Sequence, residues 1–275
     1  MERKVYQPGI YDITNEEYHK SAGISRSGLW ELKKSPYHYQ QRYLVDSPKS
    51  EPTPDMILGS LVHKMVLEYN KIWEDFVLKP DDINRRTNAG KIEYNLWLSA
   101  NSSKMIITQE QYDLAQRMMD SVLSDKTANQ LLGDCDMEKS IYFEHLGVTC
   151  KARPDAMKDG LLIDLKTTND ASYRSFQRSS VDCGYFLQAA MQKQALKALG
   201  HPFDNFIFIA VEKKPPFAVV IYIMDEEAID FGEQQFNLLL QKYMQCYETN
   251  FWPSYTCKKL LIPSWAYTEM EWENV

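Results

Sequence analysis

No stretch of this 275-residue sequence approaches the roughly 18 consecutive apolar residues that a membrane-spanning helix needs. The opening MERKVYQPGIYD lacks the apolar core of a secretory signal. A cytoplasmic protein with no membrane partner is therefore expected. Cysteine is sparse and odd in number: Cys135, Cys150, Cys183, Cys246 and Cys257 are widely spaced and form no C-x-x-C. That spacing argues against a disulfide framework or a zinc site and leaves reduced, structural thiols. Low-complexity tracts, internal repeats and an evident domain boundary are also missing, so a single domain over residues 1–275 is expected. Positive charge is in deficit, 31 Lys and Arg against 38 Asp and Glu, for a net −7. A nucleic-acid-binding protein usually shows a basic side, although an acidic exterior can surround a basic groove.

What is present is a globular composition, 44% hydrophobic and 25% charged, long enough to bury a full core. Residues 1–135 read as mainly helical. DITNEEYHK predicts a short helix, Gly23 a turn, and Ser25 or Ser27 the N-cap of the next helix. Pro36 begins another, and SPKSEPTPD is a proline-punctuated connector. In MILGSLVHKMVLEYN the residues Leu58, Leu61, Val62, Met65, Val66 and Tyr69 recur at helical spacing. A polar, basic loop with Arg85, Arg86 and Lys91 runs into a further helix, and Thr108 caps the one after it. Residues 136–250 begin at period two. KSIYFEHLGVTCKARPDAMKDGLLIDLKT predicts a three-stranded antiparallel meander with turns at Leu146-Gly147 and Lys158-Asp159-Gly160. A helix ending at Gly200, two strands around Lys-Lys-Pro-Pro, and a long helix capped by Asp225 follow. Residues 251–275 are an aromatic, irregular tail.

Within LLIDLKTT, Leu161, Ile163 and Leu165 face one side of the strand and Leu162, Asp164 and Lys166 the other. Asp164 and Lys166 thus lie about 6–7 Å apart along one face. With the turn centred on Asp159, Asp155 falls opposite Ile163 or Asp164. This convergence of two carboxylates and an ammonium has a plain reading, an ion triad at a sheet edge worth little energy. It also has a chemical one: paired carboxylates bind a hard divalent cation, and a nearby lysine orients water or offsets charge on a phosphate. His63, at the edge of its helix's apolar stripe with Gly59 one turn earlier, is a boundary histidine or, beside such a pair, a metal ligand. Gln188 and Gln192 share a helix face, which by itself suits solvent. Ser25, Arg26 and Ser27 at a helix start either cap it or seat a phosphate. Arg85, Arg86 and Lys91 are either solvated or in contact with a DNA backbone.

Taken in order, ISRSGLWELKKSPYHYQQRYL, GSLVHKMVLE, ARPDAM, LIDLKTT and YFLQAAMQ resemble the PD-(D/E)xK nuclease superfamily, in its RecE-type (exonuclease VIII) and RecB-like branch. NRRTNAGKIEYNLW and WPSYTCKKLLIPSWA are similar to RecE-type proteins more narrowly. The resemblance implies an α/β fold: a mixed central sheet flanked by helices, the restriction-endonuclease-like core, with an N-terminal helical elaboration. It implies metal ligation by His63, Asp155, Asp164 and the carbonyl of Leu165, with Lys166 as catalytic lysine. Gln188 matches the glutamine of the Q-x-x-x-Y motif, whereas Gln192 stands where relatives carry tyrosine.

The activity implied is Mg²⁺-dependent DNA hydrolysis, with Mn²⁺ substituting. It would run 5′→3′ on linear double-stranded DNA and leave 3′ single strands for phage recombination. The resemblance further implies recognition of the 5′-phosphate near Ser25-Arg26-Ser27, a ring-shaped homo-oligomer (trimer or tetramer), and a single-strand-annealing recombinase as partner. Ser35 stands before Pro36 where iron–sulfur relatives often have cysteine, so no iron–sulfur cluster is expected. Two alternatives are a RecB-like nuclease of other polarity or single-strand preference, and a non-catalytic DNA-end-binding module.

Overall fold

The computed structural model describes residues 3–45, 51–263 and 267. A three-residue strand, β1 (Gly9–Tyr11), precedes the short helix α1 (Asn15–Lys20), capped by Thr14. Strand β2 (Ile24–Ser25) passes directly into α2 (Arg26–Lys34), and α3 (Pro36–Tyr39) continues as a π-helical turn over Gln40–Leu44. Helix α4 (Pro54–Leu67) begins inside the proline-rich connector, with Thr53 as N-cap, and leads to α5 (Ile72–Asp75) and β3 (Phe76–Leu78). Next come α6 (Asn88–Ala100), β4 (Met105–Ile107), α7 (Gln109–Ser124) and α8 (Lys126–Leu132). The second half holds β5 (Asp136–Met137), β6 (Ser140–His145), β7 (Val148–Ala152), β8 (Ala156–Lys158) and β9 (Leu161–Thr168). It ends with α9 (Tyr173–Asp182), α10 (Tyr185–Ala198), β10 (Asn205–Glu212), β11 (Val219–Ile223) and α11 (Glu226–Thr249).

The centre is a mixed five-stranded sheet in the order β11-β10-β9-β8-β5, with β9 and β10 parallel and the other pairs antiparallel. A four-stranded sheet, β1-β6-β7-β2, and a two-stranded one, β3-β4, complete the strands described. The alternation of β9 and β10 loads both faces of the central sheet. Leu162, Phe206, Phe208 and Ala210 pack toward α2, α10 and α11. Ile163, Leu165, Ile207, Ile209 and Val211 pack toward α4 and α7. The mixed sheet flanked by helices is thus the expected α/β class.

Local chemistry explains most boundaries. Ser25, not Ser27, is the N-cap of α2, its Oγ accepting from the Gly28 N–H. Thr108 and Gln111 form a reciprocal capping box on α7, and Asp225 caps α11. The hairpins turn on Leu146-Gly147 and Asp159-Gly160, all four at positive φ as two-residue turns of this kind demand. The expected three-stranded meander is corrected. β6 and β7 belong to one sheet and β8 and β9 to the other, because the chain changes sheet at Arg153-Pro154-Asp155. Pro154 has no N–H to offer a ladder, so β7 cannot run on.

Helix α10 is held against α11 at close range: a Cβ on Gly232 would stand 2.1 Å from the Phe186 carbonyl oxygen. Gly232→Ala must push the two helices apart and should cost roughly 1–3 kcal/mol, as overpacked cores do. A thermal melt followed by circular dichroism checks this; an unchanged midpoint would mean that the crossing is looser than the backbone spacing requires.

Candidate active site

The change of sheet delivers Asp155 to the end of β8, one residue beyond the Ala156–Ile163 pair and so level with Asp164 on β9. Of the two registers open from the sequence, the Asp164 one is realised. Asp155 Oδ2 accepts from the Leu165 N–H at 2.7 Å and lies 3.2 Å from His63 Nδ1 on α4. Gly59 lies one turn before His63 on α4. Its missing side chain faces Thr167 Oγ1, 3.4 Å from where a Cβ would be, so it lets α4 approach β9 closely.

Asp164 is buried and held by two neighbours. Gln188 Nε2 donates to its Oδ1, and Lys166 Nζ is 2.5 Å from its Oδ2. Lys166 in turn donates to Gln188 Oε1 at 3.3 Å and lies 4.8 Å from the centre of the Tyr185 ring. The ammonium and Asp164 Oδ2 form a buried ion pair. Gln188 reaches the strand because α10 starts on Gly184, at φ +69, where a Cβ would fall 2.4 Å from the Trp30 ring. Gln192, one turn on, is buried, and its Oε1 has no hydrogen-bond partner.

A third carboxylate was not foreseen. Glu138, between β5 and β6, brings an oxygen within 4.8 Å of ligand atoms of His63 and Asp155, so these three form a cluster able to hold a metal ion. Arg153 fixes it, Nε donating to Glu138 Oε2 at 2.7 Å, and the Asp155 carbonyl accepts the Glu138 N–H at 2.9 Å. Glu138 sits at φ +53 between two strands of different sheets. No periodic pattern marks such a position; the only hint was an acid just upstream of the first strong strand.

Each carboxylate of the cluster meets one cationic side chain: Asp155 meets His63, Asp164 meets Lys166 and Glu138 meets Arg153. Burial and the neighbouring Asp155 carboxylate push Asp164 above the usual carboxylate range, and the same two causes raise Glu138. Burial works against ionisation of Asp155 too, yet the His63 imidazole, Lys166 and the Leu165 N–H hold it low. Burial would lower His63, but Asp155 more than offsets this and raises it to about 8. Carboxylate oxygens of Asp155, Asp164 and Glu138 with an imidazole in reach are the hard oxygen and nitrogen donors that suit a divalent ion of the Mg²⁺ or Mn²⁺ kind.

Asp155, Asp164, Lys166 and Gln188 open onto a cleft of about 1000 Å³, and Glu138 and Gln192 line it as well. Ser25, Arg26 and Ser27 form part of its wall. Arg26 Nη2 donates to the Cys183 carbonyl at 2.6 Å, while its buried Nε has no partner. Lys151, also unforeseen, lines the cleft with its ammonium bound to the Tyr18 and Ser21 carbonyls, and burial pushes it down to about 8. Arg85, Arg86 and Lys91 are not brought to the cleft; the Arg85 guanidinium lies 4.8 Å from the centre of the Tyr94 ring instead.

The His63–Asp155 pair has a signed pH dependence. The folded imidazole binds its proton more tightly than an unfolded one, whose pKa is 6.5, so its stabilising contribution is complete below that pH and fades as pH rises through about 8. In metal-free protein, NMR titration should place His63 near 8, and Asp155→Asn should lower it, because burial is then opposed only by the Asp164 charge, which Lys166 counters. A His63 value unmoved by that substitution would break the pairing.

A family model described as a PDDEXK-like domain of unknown function (DUF3799) matches residues 25–261. Among solved structures, a candidate exonuclease from Eubacterium rectale is similar over 92% of this chain and 97% of its own, with 12% identity and a TM-score of 0.61. A phage-related exonuclease from Haemophilus somnus (12% identity, 69% of this chain and 94% of its own, TM-score 0.34) is more distant. So is an alkaline exonuclease from Laribacter hongkongensis (13%, 62% and 90%, TM-score 0.30). Curated protein sequences give no match. Among the described residues no helix is long and apolar enough to cross a membrane. With most of its length covered by the family model and the acid–acid–lysine constellation assembled at a sheet end, the chain belongs to the PDDEXK-like family DUF3799 of the PD-(D/E)xK superfamily.

Proposed function

We propose that this protein is a metal-dependent DNA exonuclease. The observation that carries the reading is the meeting of Asp155, Asp164, Lys166 and Glu138 at one wall of the cleft, with His63 in contact with Asp155. The likeness of the fold to the Eubacterium rectale candidate exonuclease supports it. His63, Asp155 and Asp164 would hold Mg²⁺ or Mn²⁺, with Glu138 beside them and the carbonyl of Leu165 as a further ligand. When bound, the ion polarises phosphoryl oxygens and makes water a better nucleophile. Lys166 offsets charge that develops on the phosphate and aligns the attacking water. Gln188 keeps that ammonium in place by hydrogen-bonding both Lys166 and Asp164. Tyr185 screens it from one side.

The RecE-type resemblance favours 5′→3′ action on linear double-stranded DNA, a ring of three or four copies, and work beside a single-strand-annealing recombinase. It also favours one exonuclease domain over residues 1–275. Arg26, with a buried N–H seeking an acceptor, and Ser25 and Ser27 at the start of α2 suit a terminal 5′-phosphate.

Linear plasmid should be degraded with Mg²⁺ and spared with EDTA, and circular plasmid should be spared throughout. Lys166→Ala should slow degradation on the order of 10²–10³-fold. Asp155→Ala and Asp164→Ala should lose metal affinity with the circular dichroism spectrum retained. Normal cleavage by any of the three removes that residue's role. Duplexes labelled at the 5′ or the 3′ end read the polarity.

For the terminal phosphate, Arg26→Ala should slow attack on 5′-phosphorylated ends by about tenfold or more, the loss expected for one charged hydrogen bond. Hydroxyl ends should be affected far less. Equal rates on both kinds of end, before and after the substitution, would leave Arg26 without that task.

A further inference from the structure

Helix α6 is at odds with the rest of the fold. Among the described residues no other helix or strand packs closely along it, and only Gly90 on it is buried. Ile92 and Leu96, one turn apart on the same face, are 63% and 67% exposed. A helix of 13 residues with so little tertiary packing is marginal in water. Its apolar face therefore calls for a cover.

The same sequence contains a segment of the right chemistry. Leu260, Leu261 and Ile262 are exposed. Beyond them stand Trp265, Tyr267, Met270 and Trp272, interleaved with Glu269, Glu271 and Glu273. The charges match in order. The arm runs from Asp81 and Asp82 to Arg85, Arg86 and Lys91, and the tail from Lys258 and Lys259 to the three glutamates. Arm and tail leave from opposite faces of the central sheet. Trp252 packs in the α2, α10 and α11 core, the Pro253 carbonyl accepts the Tyr37 N–H at 3.1 Å, and the Tyr255 ring lies 5.4 Å from that of His38. β3 and β4, which flank α6, pack through Phe76 and Ile107 in the α4 and α7 core.

We propose that α6 and the basic loop before it form a docking arm for the acidic, aromatic tail of a second copy of this chain. Such a contact joins two different surfaces, so it repeats head to tail and closes into a ring where the rotation allows. Ile92 and Leu96 receive the aromatic side chains, and Arg85, Arg86 and Lys91 face glutamates rather than DNA. The proposal deepens the ring reading above and owes nothing to catalysis.

Sedimentation of the full chain, without DNA or metal, tests it. Wild type should run at a multiple of 32.1 kDa. The arm variant Ile92→Glu/Leu96→Glu and the tail variant Trp265→Asp/Trp272→Asp should each lose association by at least roughly tenfold, as for the loss of a central apolar contact. A 1:1 mixture of the two should recover a heterodimer, since one intact arm then meets one intact tail. Should the arm variant fold poorly, Arg85→Glu/Arg86→Glu should dissociate the protein and Glu271→Lys/Glu273→Lys, added to it, should restore association. An oligomer whose mass ignores all these changes overturns the contact and leaves the ring standing on another surface. A monomeric wild type overturns both.

Discussion

One carboxylate holds the site together. Asp155 Oδ2 accepts the Leu165 N–H and meets His63, so a single side chain couples the start of β8, the middle of β9 and one face of α4. Each of those elements is anchored elsewhere by a large apolar cluster. The contact therefore does not create the fold; it converts packing already in place into a fixed position for three polar groups. The change of sheet at Pro154 makes it available, because a chain that stayed in the β6–β7 sheet could not bring Asp155 level with Asp164.

The same geometry bears on how an acidic chain could take the anionic ligand proposed for it. Arg3, Arg26, Arg42, Lys151, Arg153 and Lys166 line the cleft against Glu31, Glu138, Asp155 and Asp164, a basic excess, while the net charge of the whole sequence is −7. Field lines concentrate in a low-dielectric cleft, so the local sign decides what enters and the net charge governs solubility. Arg153 works on both accounts. It neutralises Glu138 and donates to the Ile13 carbonyl and Ser140 Oγ, fastening the N-terminal segment over the site.

Strong periodicity is what made the fold legible before any coordinates. The alternation of LLIDLK placed Asp164 and Lys166 on one face, and the 3.6-residue spacing of Leu58, Leu61 and Met65 set α4 and the edge position of His63. Both survive because burial on a sheet face or a helix stripe leaves a repeating mark. β2, β3, β4 and β5 have two or three residues each, too few for a period to show. Glu138 escaped for a related reason: its place depends on positive φ and on an arginine 15 residues away, and neither is a local pattern. The meander failed because alternation says which residues face a core but not which of two cores. Pro154 carries that information, because it has no N–H with which to extend the β7 ladder.

Charge in the site explains why proton and cation binding must be linked. Asp164 and Glu138 are pushed toward protonation by burial and by Asp155, so each releases its proton less readily than a free carboxyl does. A ligating carboxylate has to give up that proton, and His63 must also be neutral to ligate. The free energy of cation binding thus includes the cost of removing protons from groups whose pKa is raised. That cost grows as pH falls and vanishes once the medium is basic enough to deprotonate them. Gln188 reduces the penalty on one side only. By donating to Asp164 Oδ1 it stabilises the ionised carboxylate, whereas Oδ2 faces the Lys166 ammonium at 2.5 Å.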